Sequence, residues 1–124
     1  MGTNYYQRTD ICKCCNRYKE RHIGKSSCGW QFSFQGYMGE GDNPRIQSFK
    51  DWKREIKADI HSKIFDEYGR ELSLKEFIEL VESKKTAPNN HYDYCKKEAS
   101  NRGYDMSRDW KDDEGYSFSG NDFS

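Results

Sequence analysis

The chain has 124 residues, of which 33% are apolar, 34% charged and 15% aromatic, with 21 Lys/Arg balanced by 21 Asp/Glu. That length provides one domain's worth of core, and zero net charge excludes a global field steering the protein onto nucleic acid. Apolar content this low marks many disordered chains, but those are poor in aromatics; three Trp, nine Tyr and seven Phe give this one large side chains to bury.

A thin core of this kind calls for a staple, a metal or disulfides. Charge is uneven along the chain: residues 1–62 carry eleven Lys/Arg against seven Asp/Glu, and residues 63–124 ten against fourteen. A dipolar surface on a neutral domain accounts for that more simply than a basic binding face. No secretory apolar stretch and no run long enough to cross a membrane is present, and Tyr6 stands where a myristoylation pattern needs Ser or Thr. No membrane is therefore expected as a partner. The expected setting is a reducing cytoplasm, where five cysteines, an odd number, favour metal over disulfides.

In chain order, residues 4–9 are rich in β-formers and predict a short strand, and residues 20–25 a second strand returning beside it after a tight turn of cysteines. Residues 30–35 alternate apolar and polar, which puts Trp30, Phe32 and Phe34 on one face of a half-buried antiparallel strand. Gly36, Gly39, Gly41 and Pro44 predict a mobile loop over 36–47. Ser48 then opens a helix with Asp51 near its positive end, and Phe49, Trp52, Ile56 and Ile60 fall near one face.

Asp66 to Gly69 predict the turn of a hairpin over 63–72. Ser73 and Glu76 form a capping box for a second helix, whose stripe is Leu74, Phe77, Ile78 and Val81 and which Pro88 stops. Residues 86–124 show little periodicity and predict an irregular wrap, in which residues 115–119 can add an edge strand and Asp112-Asp113-Glu114 a solvated turn. The expectation is an α+β fold of one domain: a small antiparallel sheet with two helices, a zinc-knuckle-like turn and an irregular C-terminal segment. It divides into sheet and knuckle (1–47), helix–hairpin–helix (48–85) and wrap (86–124).

Chemistry concentrates near the N-terminus. Cys12 and Cys15 have the spacing of a zinc knuckle, in which two thiolates hold the ion from one tight turn, and His22 follows on the returning strand. A closed structural Zn²⁺ site needs a fourth ligand. Cys14 is adjacent to Cys15 and points away from it, which leaves Cys28, His91 and Cys95; His91 is favoured, with Cys95 close behind. The competing reading makes the cysteines small buried hydrophobes. The run Gly24-Lys25-Ser26-Ser27 looks like the end of a phosphate-binding loop, but Lys19 stands where the first glycine is required and a strand follows, so nucleotide hydrolysis is rejected. Lys25, Ser26, Ser27 and Trp30 remain a candidate binding face.

At these residues the chain shows a family resemblance. Gly2-Thr3-Asn4-Tyr5-Tyr6, Cys12 and Cys15, His22 to Ser27 with Gly29-Trp30 and Phe32, Asp66 to Arg70 and the terminal Phe123-Ser124 resemble a family of small proteins found mostly in tailed bacteriophages and prophages. The resemblance spans nearly the whole chain, most strongly residues 2–34 and 64–82. It implies alanine as the usual residue at the position of Cys28, glycine at that of Asn16, and a histidine in the C-terminal third, as His91 is. It brings no activity with it, and implies a host-directed accessory protein acting in the cytoplasm of a bacterial host cell.

The leading expectation is thus a zinc-stapled protein, more an inhibitor than an enzyme, that binds a host bacterial protein in host takeover or counter-defence. The alternatives are a nucleic-acid-binding module using Lys13, Arg17, Lys19, Arg21 and Lys25 with exposed tyrosines, or a small-molecule or nucleotide binder around Lys25, Ser26, Ser27 and Trp30.

Overall fold

β1 (Gly2–Thr9) and β2 (Lys19–Ser27) pair antiparallel from Gly2↔Ser27 to Thr9↔Lys19. The register slips once, because Tyr5 faces Gly24 while Tyr6 faces His22, and Ile23 is the extra residue of a bulge. The computed structural model describes residues 2–9, 14–15, 17–39, 45–58, 62–102 and 109–120. Within them, β3 (Ser33–Gln35) extends the sheet beyond β2, and β4 (Tyr37–Met38) and β5 (Arg45–Ile46) make a separate two-stranded ladder. The segment expected as a mobile loop thus has paired ends. Helix α1 (Phe49–Ala58) follows, then the hairpin β6 (Lys63–Asp66) and β7 (Glu71–Leu72), with Gly69 at φ 87° in its turn as the sequence predicts.

Helix α2 (Leu74–Ser83) starts on the predicted capping box, Ser73 and Glu76 each accepting the other's backbone N–H. On α1, the Ser48 hydroxyl accepts from the Asp51 N–H, while the Asp51 carboxylate accepts from the Gln47 N–H. Phe49, Trp52 and Ile56 are buried as the stripe predicts; Ile60 lies outside the described residues.

The larger departure is in the last third, whose described residues are not an irregular wrap. It forms α3 (His91–Arg102), β8 (Asp109–Lys111) and β9 (Ser117–Ser119). The main sheet has seven strands in the order β7-β6-β1-β2-β3-β9-β8, so all three stretches of the chain contribute to it. It is larger than the small sheet expected, and it is not wholly antiparallel, since β9 lies parallel to β3.

That pairing makes β9 interior to the sheet rather than an edge, and α3 is a third helix beyond the two expected. The anticipated strand over 30–35 shrinks to residues 33–35, with Trp30 held instead by a bridge to Asn89. It is not half-buried either: Phe34 and Gln35 are both buried. The turn at 112–114 also does more than meet solvent. The Asp112 carboxylate accepts from the N–H groups of Glu114 and Tyr116, and from the Phe49 N–H at the start of α1 (2.9 Å).

Alternation sorts the sheet's two faces. Tyr5, Ile64, Leu72, Phe34 and Phe118 share the face that carries α1 and α2, and with Phe32, Phe49, Trp52, Phe77 and Tyr116 they make the core. Phe34 stacks on Phe118 at 4.9 Å and 11° between ring planes, and Phe118 on Trp110 at 5.7 Å. The two indoles donate to Gln35 and Gln47 carbonyls, so their polar ends are satisfied within the protein. Gly24 is glycine for a packing reason: a Cβ there would run into the Phe32 ring and the Ser33 carbonyl. The opposite face presents Asn4, Tyr6, Arg8 and His22 on one side and Ser117 and Ser119 on the other, where α3 packs.

Burial and then the carboxylates of Glu114, Glu82 and Asp112 push the Tyr116 phenol up to about 12. The unfolded chain loses that proton near pH ~10, whereas the folded chain keeps it, so Tyr116 contributes stability below pH ~10 that is lost as pH rises from there towards 12. Urea midpoints should fall over that window, and Tyr116→Phe should flatten the fall. A variant with the same alkaline slope as the parent would contradict this.

Candidate functional site

The turn between β2 and β3 and the start of α3 are built as one unit. Trp30 N–H donates to the Ser27 carbonyl (3.1 Å) across a turn whose Gly29 has φ 79°, a conformation that suits glycine. The chain between α2 and α3 is strapped to this turn: Gln31 N–H donates to the Asn89 carbonyl (2.8 Å), the Asn89 side-chain amide to the Gly29 carbonyl (3.0 Å), and the Lys84 ammonium to the Ser27 carbonyl (3.4 Å). Asn90, buried, then caps α3 through its side-chain oxygen, which accepts from Asp93 N–H (3.2 Å) and from the Ser117 hydroxyl. Its amide donates to Gln31 (3.0 Å).

The strap brings Tyr94, on the first turn of α3, edge-on to Trp30 at 5.4 Å and 78°. Tyr94 is 51% exposed, Trp30 half-buried and Cys28 exposed. The sequence pointed to Trp30 but missed Tyr94, whose only local signal is the Asn90-x-x-Asp93 cap ahead of it.

The Gly24-Lys25-Ser26-Ser27 run lies in β2, and strand alternation splits it. Gly24 and Ser26 share the face of Tyr5, and Ser26 is buried there, while Lys25 and Ser27 lie opposite beside Gly2. An extended strand cannot aim its successive N–H groups at one phosphate as a loop entering a helix does. Of the four residues expected to form one face, Lys25, Ser27 and Trp30 remain available and Ser26 is turned inward.

Of the expected zinc ligands, the three among the described residues, Cys15, His22 and His91, stand on separate parts of the fold. Cys12 lies outside the described residues, and Cys15 is exposed in the turn at the tip of the β1–β2 hairpin. His22 sits three residues inside the end of that ladder, roughly 10 Å along the strand. There its Nε2 meets the Asn4 side-chain oxygen at 2.9 Å and its ring lies 5.3 Å from Tyr6.

His91 is on α3, near β8 and β9, and the middle of β8 is three strand spacings from β2, about 14 Å. Its neighbour is Cys95, whose sulfur lies 3.5 Å from Nε2 and 4.0 Å from Nδ1. Burial holds the His91 imidazole below its ordinary pKa, against the opposing pull of Asp109, so the neutral ring is favoured. Among the described residues no three His, Cys, Asp or Glu side chains already stand together in a geometry that holds a metal.

A concavity of about 510 Å³ on α1 is lined by Lys50, Lys53, Arg54, Lys57 and Ala58. Its charge is already partly answered: Arg54 pairs with Asp51, Lys53 lies 4.6 Å over the Phe49 ring, and Lys50 is 4.0 Å from Asp113. A solvated helix face explains it without a phosphate ligand. No helix among the described residues is long and apolar enough to cross a membrane. Comparison with protein-family models, with curated proteins and with solved structures gives no match in any of the three.

Asn90 holds this unit together, so Asn90→Ala should remove the α3 cap and take away the acceptor of the Ser117 hydroxyl and the donor to the Gln31 side-chain oxygen. A loss of about 2–3 kcal/mol in urea unfolding is expected. A loss below about 0.5 kcal/mol would show that the strap does not depend on it.

Proposed function

We propose that the chain is a small accessory protein that acts by binding, and so inhibiting, a host bacterial protein, with Trp30 and Tyr94 as its contact. The observation that carries this reading is the aromatic pair itself. Two large rings are presented at 5.4 Å on a turn and a helix start that hydrogen bonds tie together before any partner arrives. Trp and Tyr supply most of the binding energy in many interfaces, and a framework already ordered avoids the entropy of ordering it on contact. Lys25 and Ser27 lie on the strand leading into the same turn.

The resemblance to phage and prophage proteins supports a host-directed role in the bacterial cytoplasm. The nucleic-acid alternative has less behind it, since the cations of α1 are partly answered within the chain and the whole carries no net charge.

Pull-down from bacterial lysate with the parent chain and with Trp30→Ala/Tyr94→Ala tests the reading. A specific partner should be retained by the parent and bound at least about 30-fold more weakly by the double variant, as expected for hot-spot residues costing about 2 kcal/mol or more. Equal retention by both chains, or no protein retained by either, contradicts it. A salt-sensitive shift of DNA or RNA at physiological ionic strength would instead support the nucleic-acid reading.

A further inference from the structure

The turn of the β6–β7 hairpin carries Tyr68, which at 79% is the most exposed large apolar side chain among the described residues. The turn beneath it is fixed in place. The Asp66 carboxylate accepts from the Tyr68 and Arg70 N–H groups, each at 2.9 Å, and Gly69 N–H donates to the Asp66 carbonyl at 3.1 Å. Glu67 is tied to β1 twice: its N–H donates to the Asn4 carbonyl (2.9 Å), and its carboxylate accepts from the Asn4 N–H (2.8 Å). A large ring on so ordered a support loses little entropy when a partner buries it.

A matching hollow lies at the base of the same hairpin. Between the end of α1, β6, β7 and the start of α2 is a groove of about 350 Å³, with Ile56, Ile64, Leu72 and Leu74 in its lining. A cavity of about 150 Å³ holds benzene, so this one has room for a phenol ring. β7 is the edge of the main sheet, and among the described residues no strand lies beyond it. Lys57 and Lys63 also line the groove, against one carboxylate, Glu71, which is 3.5 Å from Lys63 in an exposed pair worth little. The hairpin tip has the opposite charge: Asp66 and Glu67 precede Tyr68, while Arg70 is answered by Glu76 at 3.7 Å.

We propose that this end of the sheet is a self-association surface, on which Tyr68 of each copy enters the groove of a second copy. The exposed ring does not fill the groove of its own chain, because Asp66 locks the turn. Tip and groove lie about 10 Å apart along one hairpin, so a two-fold axis between them seats both rings at once. The ring meets the apolar lining, and Asp66 and Glu67 meet Lys57 and Lys63 of the other copy. This contact is separate from the turn that carries Trp30 and Tyr94, and failure of either reading leaves the other standing.

Sedimentation velocity of the reduced full chain tests this, reduction excluding disulfides between the exposed cysteines. The parent should pass from monomer to dimer as its concentration rises, and the dimer should weaken with added salt. Tyr68→Ala and Lys57→Glu/Lys63→Glu alter exposed side chains; each should keep the parent's circular dichroism and dimerise at least about 10-fold more weakly. Mixed in equal amounts, the two variants should associate more tightly than either alone, since the intact Tyr68 of one chain meets the intact groove of the other. A parent that stays monomeric at millimolar concentration overturns the proposal, as does growth beyond the dimer. So does parental dimerisation in either variant, or a mixture no tighter than its components.

Discussion

The parallel ladder between β3 and β9 is the contact on which the rest of the molecule depends. It pairs Ser33, Phe34 and Gln35 with Ser117, Phe118 and Ser119, residues 84 positions apart in the chain. Through it Phe118 reaches Phe34 and Trp110, and Tyr116 reaches Phe34 and Phe49. Burying two such rings stabilises by a few kcal/mol each, a large share of the stability of a small domain. Asp112 delivers its carboxylate to the first turn of α1, and Ser117 reaches the first turn of α3, only because β9 is in place. One three-residue strand thus secures helices on both faces of the sheet.

This also explains which parts of the fold were legible in the sequence. The β1–β2 and β6–β7 pairings and the Ser73 capping box rest on residues near one another in the chain, so turn glycines, β-branched or aromatic runs and cap spacing announce them. The β3–β9 pairing has no local signature, because a parallel partner must arrive from a distance. Helix α3 was hidden for a different reason. It packs onto a seam of Ser117, Asn90 and Asp109 rather than onto the aromatic core, so residues 91–102 lack the stripe that reveals α1 and α2. Gln35 misled in the same way: its polar side chain suggested a solvated face, yet it is buried and donates to the Ser119 carbonyl.

The candidate sites follow the same division. Trp30 stood out because it opens an alternating aromatic run, whereas Tyr94 acquires meaning only once residues 84–90 are strapped to the turn before it. Spacing in sequence grouped His22 with the cysteine hairpin, but the bulge at Ile23 and the pairing with Tyr6 set it on the sheet beside Asn4. Spacing also named His91 and Cys95 as rival candidates, and helical geometry makes them neighbours.

Native-state hydrogen exchange of the Gly36 amide, which donates to the Ser119 carbonyl at 2.8 Å where β3 meets β9, tests most directly whether this ladder belongs to the cooperative core. If it does, Gly36 exchanges with the same opening free energy, and the same dependence on denaturant, as the β1–β2 amides. An opening free energy for Gly36 more than about 2 kcal/mol below that of β1–β2 would mean that the C-terminal third detaches by itself, and would contradict the dependence of both helical faces on β9.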